Sequence, residues 1–130
     1  MPGRLARLLV ASTAVLAVAL SACGGDDGGS EATVPADAGL VVRAVPTISW
    51  DSDAYTATAG DVKVVLVNEE NIHHELAILT PDNKVVGDTL SVNRSGDVAT
   101  ATITLEPGQY RVFCVVPGHS NMDSTLTVTA

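Results

Sequence analysis

Apolar and polar residues alternate most clearly toward the end of this chain. Residues 98–105 place Ala99, Ala101, Ile103 and Leu105 at every second position, with threonines mostly between them. A period of two is that of a β-strand with one buried face. Residues 124–130 alternate in the same way, with Leu126 and Val128 on the apolar side. Residues 110–116 are rich in β-branched and aromatic side chains and predict a further strand, in which Tyr110, Val112 and Cys114 share a face. Upstream, residues 40–45, 62–67 and 74–79 are apolar runs of strand length. Turn residues punctuate the series at Ala59-Gly60-Asp61, Thr80-Pro81-Asp82-Asn83, Glu106-Pro107-Gly108 and Pro117-Gly118. No stretch predicts a long helix. Residues 46–58 and 84–97 have weaker patterns that fit either a short helix or an irregular edge. Strands at this spacing predict an all-β, two-sheet sandwich.

Composition divides the chain into three parts. Arg4 and Arg7 precede an apolar run from Leu8 to Leu20, which is of signal-peptide length and short for a bilayer span. The run ends in Leu20-Ser21-Ala22-Cys23, which resembles the cleavage box of bacterial lipoproteins. That resemblance implies a signal peptide over residues 1–22, a lipidated Cys23, and a protein anchored on the extracytoplasmic face of the cell membrane. Residues 23–38 are mostly Gly, Asp, Ser, Ala and Pro and read as a flexible linker. About fifteen such residues have a root-mean-square reach near 20 Å. Residues 39–130 remain for one small domain with a single core.

Without Arg4 and Arg7 the chain carries five basic against fifteen acidic side chains, a net charge of about −10. This balance disfavours nucleic-acid binding, because no basic patch is present. It suits solubility, or steering toward a partner with a basic surface. No phosphate loop, nucleophile triad or paired carboxylates point to an enzyme.

The candidate chemistry lies late in the chain. Cys114, His119 and Met122 fall within nine residues, between one predicted strand and the next. Thiolate, imidazole and thioether form a soft donor set that suits copper, and a His₂Cys site with a weak axial Met is an electron-transfer copper centre. The second imidazole must come from His73 or His74, the only other histidines. In a strand over residues 74–79, His74 shares its face with Leu76 and Ile78, while His73 lies on the face of Glu75 and Ala77. The apolar face turns inward, so His74 is the candidate and His73 is expected at the surface. A free Cys is by itself often only a small core hydrophobe; here the surrounding donors and the strand-turn-strand frame favour a metal. Trp50 and Tyr55 read as packing or edge residues, with a redox relay through Trp50 as the alternative. Lipid on Cys23 and metal on Cys114 leave no cysteine for a disulfide, and a Cys23–Cys114 bridge would compete with both roles.

The stretch around these residues resembles the ligand loop of the cupredoxins, the plastocyanin and azurin family of blue copper proteins. Phe113-Cys114-x4-His119, with Pro117-Gly118 just before the histidine, is similar to the azurin form, and Thr125-Leu126-Thr127-Val128 matches the strand after it. His74-Glu75-Leu76 is similar to the other ligand segment, a histidine opening a strand after a loop that follows an Asn. There are two departures. Only two residues separate His119 from Met122, fewer than in azurins and plastocyanins, and Glu75 stands where the family usually has an Asn that ties the ligand loops together. The resemblance implies a Greek-key sandwich and one type 1 copper. The copper would be held by the Cys114 thiolate, the His74 and His119 imidazoles and, weakly, Met122. It also implies single-electron transfer between Cu(I) and Cu(II) with a redox partner protein, and His119 as the electron port. Two alternatives remain: carriage, storage or delivery of copper, and a cupredoxin-like interaction domain of a metal-uptake system.

Overall fold

Nine strands make up the computed structural model, which describes residues 32–130. The signal segment and Cys23 lie outside the described residues. The strands are β1 (Leu40–Val45), β2 (Ser49–Trp50), β3 (Ala54–Thr58), β4 (Gly60–Asn68), β5 (His74–Leu79), β6 (Val85–Val92), β7 (Val98–Leu105), β8 (Gly108–Cys114) and β9 (Asp123–Thr129). Among the described residues there is no helix. The two segments with weak patterns hold sheet edges rather than a short helix: edge strands β2 and β3 lie in the first and edge strand β6 in the second.

The strands form a sandwich of two mixed sheets, ordered β2-β1-β4-β7 and β3-β9-β8-β5-β6. The chain changes sheet between β2 and β3, between β3 and β4, between β4 and β5, between β6 and β7, and between β7 and β8. These crossings leave β1 parallel to β4 and β3 parallel to β9, while the other neighbours are antiparallel. The inward sets are those of the alternation: Val62, Val64 and Leu66 of β4 and Ile103 and Leu105 of β7 meet Leu76 and Ile78 of β5, Val112 of β8, and Leu126 and Val128 of β9 in one buried cluster. A sandwich core of this kind is an interdigitation of two inner faces.

Two local features depart from regular strand pairing. The register between β5 and β6 shifts between Leu76 and Ile78, which pair with Leu90 and Val86. Gly87 lies in this bulge at φ +69°, and a Cβ there would stand 2.9 Å from the Ile103 side chain in the facing sheet. Positive φ and the close approach both require glycine. The strand expected over residues 110–116 ends at Cys114 instead. Val116 spends its carbonyl on a turn, accepting the His119 N–H at 3.1 Å, so the chain leaves the ladder before Pro117.

Candidate metal centre

Cys114 is the last residue of β8, and its side chain continues the inward set of Val112. Gly118, at φ +89°, lets the chain turn back after Pro117. Two successive turns then form the loop: the His119 N–H donates to Val116, and the Met122 N–H donates to the His119 carbonyl at 2.9 Å. The Cys114 N–H donates to the Met122 carbonyl at 3.0 Å, extending the β8–β9 ladder by one bond. The two-residue gap between His119 and Met122 thus brings Met122 back beside Cys114, fully buried in the core cluster.

His74 opens β5 and is placed by the loop before it. Asn68 is buried and accepts the Glu70 N–H at 3.0 Å through Oδ1, while its Nδ2 donates to the Ile72 carbonyl at 2.8 Å. These bonds fold residues 68–73 into a tight loop of the kind Asn side chains form. The His74 side chain is 0 % exposed, whereas that of His73 is 43 % exposed, with Nδ1 3.1 Å from the Val92 carbonyl and 2.9 Å from Asn93 Oδ1. Adjacent positions on a strand face opposite ways, which is why one histidine enters the sandwich and the other leaves it.

His74, Cys114 and His119 converge. One potential ligand atom from each lies within 4.8 Å of the others, and all three residues are buried. Cys114 Sγ is 3.7 Å from His119 Nδ1, and the two imidazole centroids are 5.1 Å apart. His74 Nε2 donates to Glu70 Oε2 at 3.0 Å. His74 Nδ1 is buried without a hydrogen-bond partner. An unsatisfied buried polar atom costs about 1–3 kcal/mol, and a metal ion would satisfy it. Burial pushes the His74 imidazole below its ordinary pKa, against the opposing pull of the Glu70 carboxylate. A neutral ring keeps a lone pair for a cation, so burial here favours ligation.

The tie between the ligand loops, left open by Glu75, is made by main chain. The Val115 N–H donates to the Glu75 carbonyl at 3.0 Å, a bond that does not depend on which side chain stands at position 75. Trp50 packs at the site: its Nε1 donates to the Val112 carbonyl at 3.1 Å, and its ring centroid lies 6.3 Å from that of His74. Tyr55 is buried in the same core, with its hydroxyl donating to Asp51 Oδ1 at 2.6 Å.

No protein-family model and no curated protein matches the sequence. Solved structures do match. Dithionite-reduced auracyanin from the photosynthetic bacterium Roseiflexus castenholzii aligns with a TM-score of 0.57 and 18% identity, over 70% of this chain and 96% of that one. Auracyanin A, a "blue" copper protein from the green thermophilic photosynthetic bacterium Chloroflexus aurantiacus, aligns with a TM-score of 0.54 and 16% identity, over 68% of this chain and 96% of the other. Amicyanin from Paracoccus versutus aligns with a TM-score of 0.53 and 24% identity, over 73% and 84% of the two chains. The chain has the cupredoxin fold.

Within this fold the buried His74-Cys114-His119 cluster fits a single type 1 copper. The donor types and the orphaned His74 Nδ1 both agree with such an ion. Sequence reasoning missed Glu70, which is hydrogen-bonded to His74, and Ile48 and Asn121, which continue the series of bonds from it. Glu70 is four positions from its partner on an irregular loop, and Ile48 and Asn121 are 73 positions apart, so no periodic signal connects them.

Proposed function

We propose that this protein is a one-electron carrier with a type 1 copper centre, anchored to the extracytoplasmic face of the membrane through lipid on Cys23. Cys114 would hold the copper as thiolate, His74 and His119 as imidazoles, and Met122 as a weak axial thioether. Bound copper would supply a Cu(I)/Cu(II) couple. The observation that carries this reading is the sealed His-Cys-His cluster, with a lone His74 nitrogen that the protein leaves unpaired. The chain's own part is to hold these donors rigid. Cys114 is clamped by the Met122 carbonyl and by its place in β8, His74 by Glu70, and His119 by the Val116 turn. A frame that does not move between oxidation states keeps reorganisation small.

His119 is the least buried of the three, which supports it as the electron port. The exposed apolar side chains of Ile72 and Val115 sit on the two loops that carry the ligands, and suit a transient partner contact. The acidic balance of the chain favours a partner with a basic surface. The anchor rests on Leu20-Ser21-Ala22-Cys23.

Cu(II) added to the purified protein is expected to produce an intense thiolate-to-copper charge-transfer band in the visible spectrum. Cys114→Ser removes it. A Cys114→Ser protein that keeps the band would refute the site, and a wild-type protein without any such band would refute the function.

A further inference from the structure

Glu70 is 8 % exposed and divides its two carboxylate oxygens between two donors. Oε2 accepts from His74 Nε2 at 3.0 Å, and Oε1 accepts the Ile48 N–H at 3.1 Å. Ile48 in turn accepts Asn121 Nδ2 through its carbonyl at 2.6 Å. Asn121 belongs to the Cys114–Met122 loop, so the series His74, Glu70, Ile48, Asn121 joins the two ligand loops behind the cluster. Ile48 has φ +54°, a conformation that β-branched residues rarely adopt. Its two hydrogen bonds, one from each ligand loop, hold it there.

We propose that Glu70 is the positioning residue of the metal centre: it fixes His74 as the Nε2–H tautomer, aims Nδ1 at Cys114 and His119, and sets the donor strength of that imidazole. This rests on the copper reading given above. A carboxylate can only accept, so the hydrogen between it and His74 must sit on Nε2, and the neutral ring then presents its lone pair at Nδ1. That is the atom left buried and unpaired. A carboxylate behind a ligating histidine also makes the ring more basic, and losing such a partner typically costs ten- to a hundredfold in metal affinity. The more basic ring favours Cu(II) over Cu(I), so Glu70 holds the reduction potential down.

The test compares Glu70→Gln with Glu75→Gln. Both remove one negative charge near His74, but the Glu75 side chain is 38 % exposed and its Oε1 lies 3.6 Å from His73 Nε2 rather than at the cluster. Long-range ¹⁵N–¹H NMR of the metal-free wild type is expected to show His74 protonated at Nε2 and bare at Nδ1. The opposite tautomer overturns the proposal, and this measurement needs neither copper nor a folded variant. In Glu70→Gln, Cu(II) affinity falls about tenfold or more and the potential rises by about 59 mV for each tenfold loss of Cu(II) over Cu(I); in Glu75→Gln both stay at wild-type values. Equal shifts in the two variants, or none in Glu70→Gln, overturn the proposal. If wild-type protein takes up no copper, the electron-transfer reading falls, and the tautomer alone decides the place of Glu70.

Discussion

Replacing Met122 by Leu, Gln and Ala separates its packing from its ligation. The side chain is fully buried in the core cluster, so its volume matters. The bonds that place the residue are main-chain: its carbonyl accepts the Cys114 N–H, and its N–H donates to His119. They survive any of the three exchanges. Leu nearly conserves volume and should change the stability of the metal-free protein by less than about 1.5 kcal/mol. Ala leaves a cavity and should cost about 2–5 kcal/mol. In a domain of this size each kcal/mol moves the melting temperature by about 4–8 °C, so Met122→Ala should lower it by at least about 8 °C. The redox effect is separate. A weak axial thioether donates to Cu(II) and favours the oxidised state, so Met122→Leu should raise the potential and Met122→Gln should lower it. A tenfold change in the balance of the two states is about 59 mV for one electron, or about 1.4 kcal/mol. Voltammetry of the copper-loaded proteins and thermal melts of the metal-free ones measure the two effects independently. If Leu and Gln leave both potential and visible spectrum unchanged while Ala lowers the melting temperature, Met122 only fills the core and the axial assignment is wrong.

Three further outcomes can be checked. His74→Ala is expected to destroy the copper spectrum and His73→Ala to leave it nearly intact, because only His74 points into the cluster; swapped results would mean that the register of β5 is wrong. Gly87→Ala should destabilise the fold by about 1–3 kcal/mol through overpacking against Ile103, with a further penalty for a Cβ at φ +69°; a melting temperature unchanged from wild type would refute this account of the bulge. Cys23→Ala should release the protein from membranes in cell fractionation, since two acyl chains anchor stably where one is marginal; wild-type protein found wholly in the soluble fraction counts against the anchor.

The elements easiest to foresee were those whose own residues carry a complete period. Strands β7 and β9 alternate cleanly and lie within a residue of where the pattern puts them. Parity alone also separated His74 from His73, because adjacent strand residues must face opposite sides. The donor types near Cys114 by themselves indicate a soft metal. Strands β2, β3 and β6 were hidden for physical reasons. β2 is only two residues long, and β3 lies at a sheet edge and buries only Tyr55 and Ala57. β6 has the bulge at Gly87 interrupting its period and only Leu90 and Val92 buried. Pairing across the sequence was equally invisible: β3 finds β9 in parallel because the chain has already crossed between sheets, and no local preference records that. The same holds at the metal centre. Residue type and period named the atoms that could bind copper, since those are properties of single residues and their neighbours. Which group stands behind His74 was decided only when folding brought Glu70, Ile48 and Asn121 together, because a hydrogen bond between distant loops depends on where both ends come to rest.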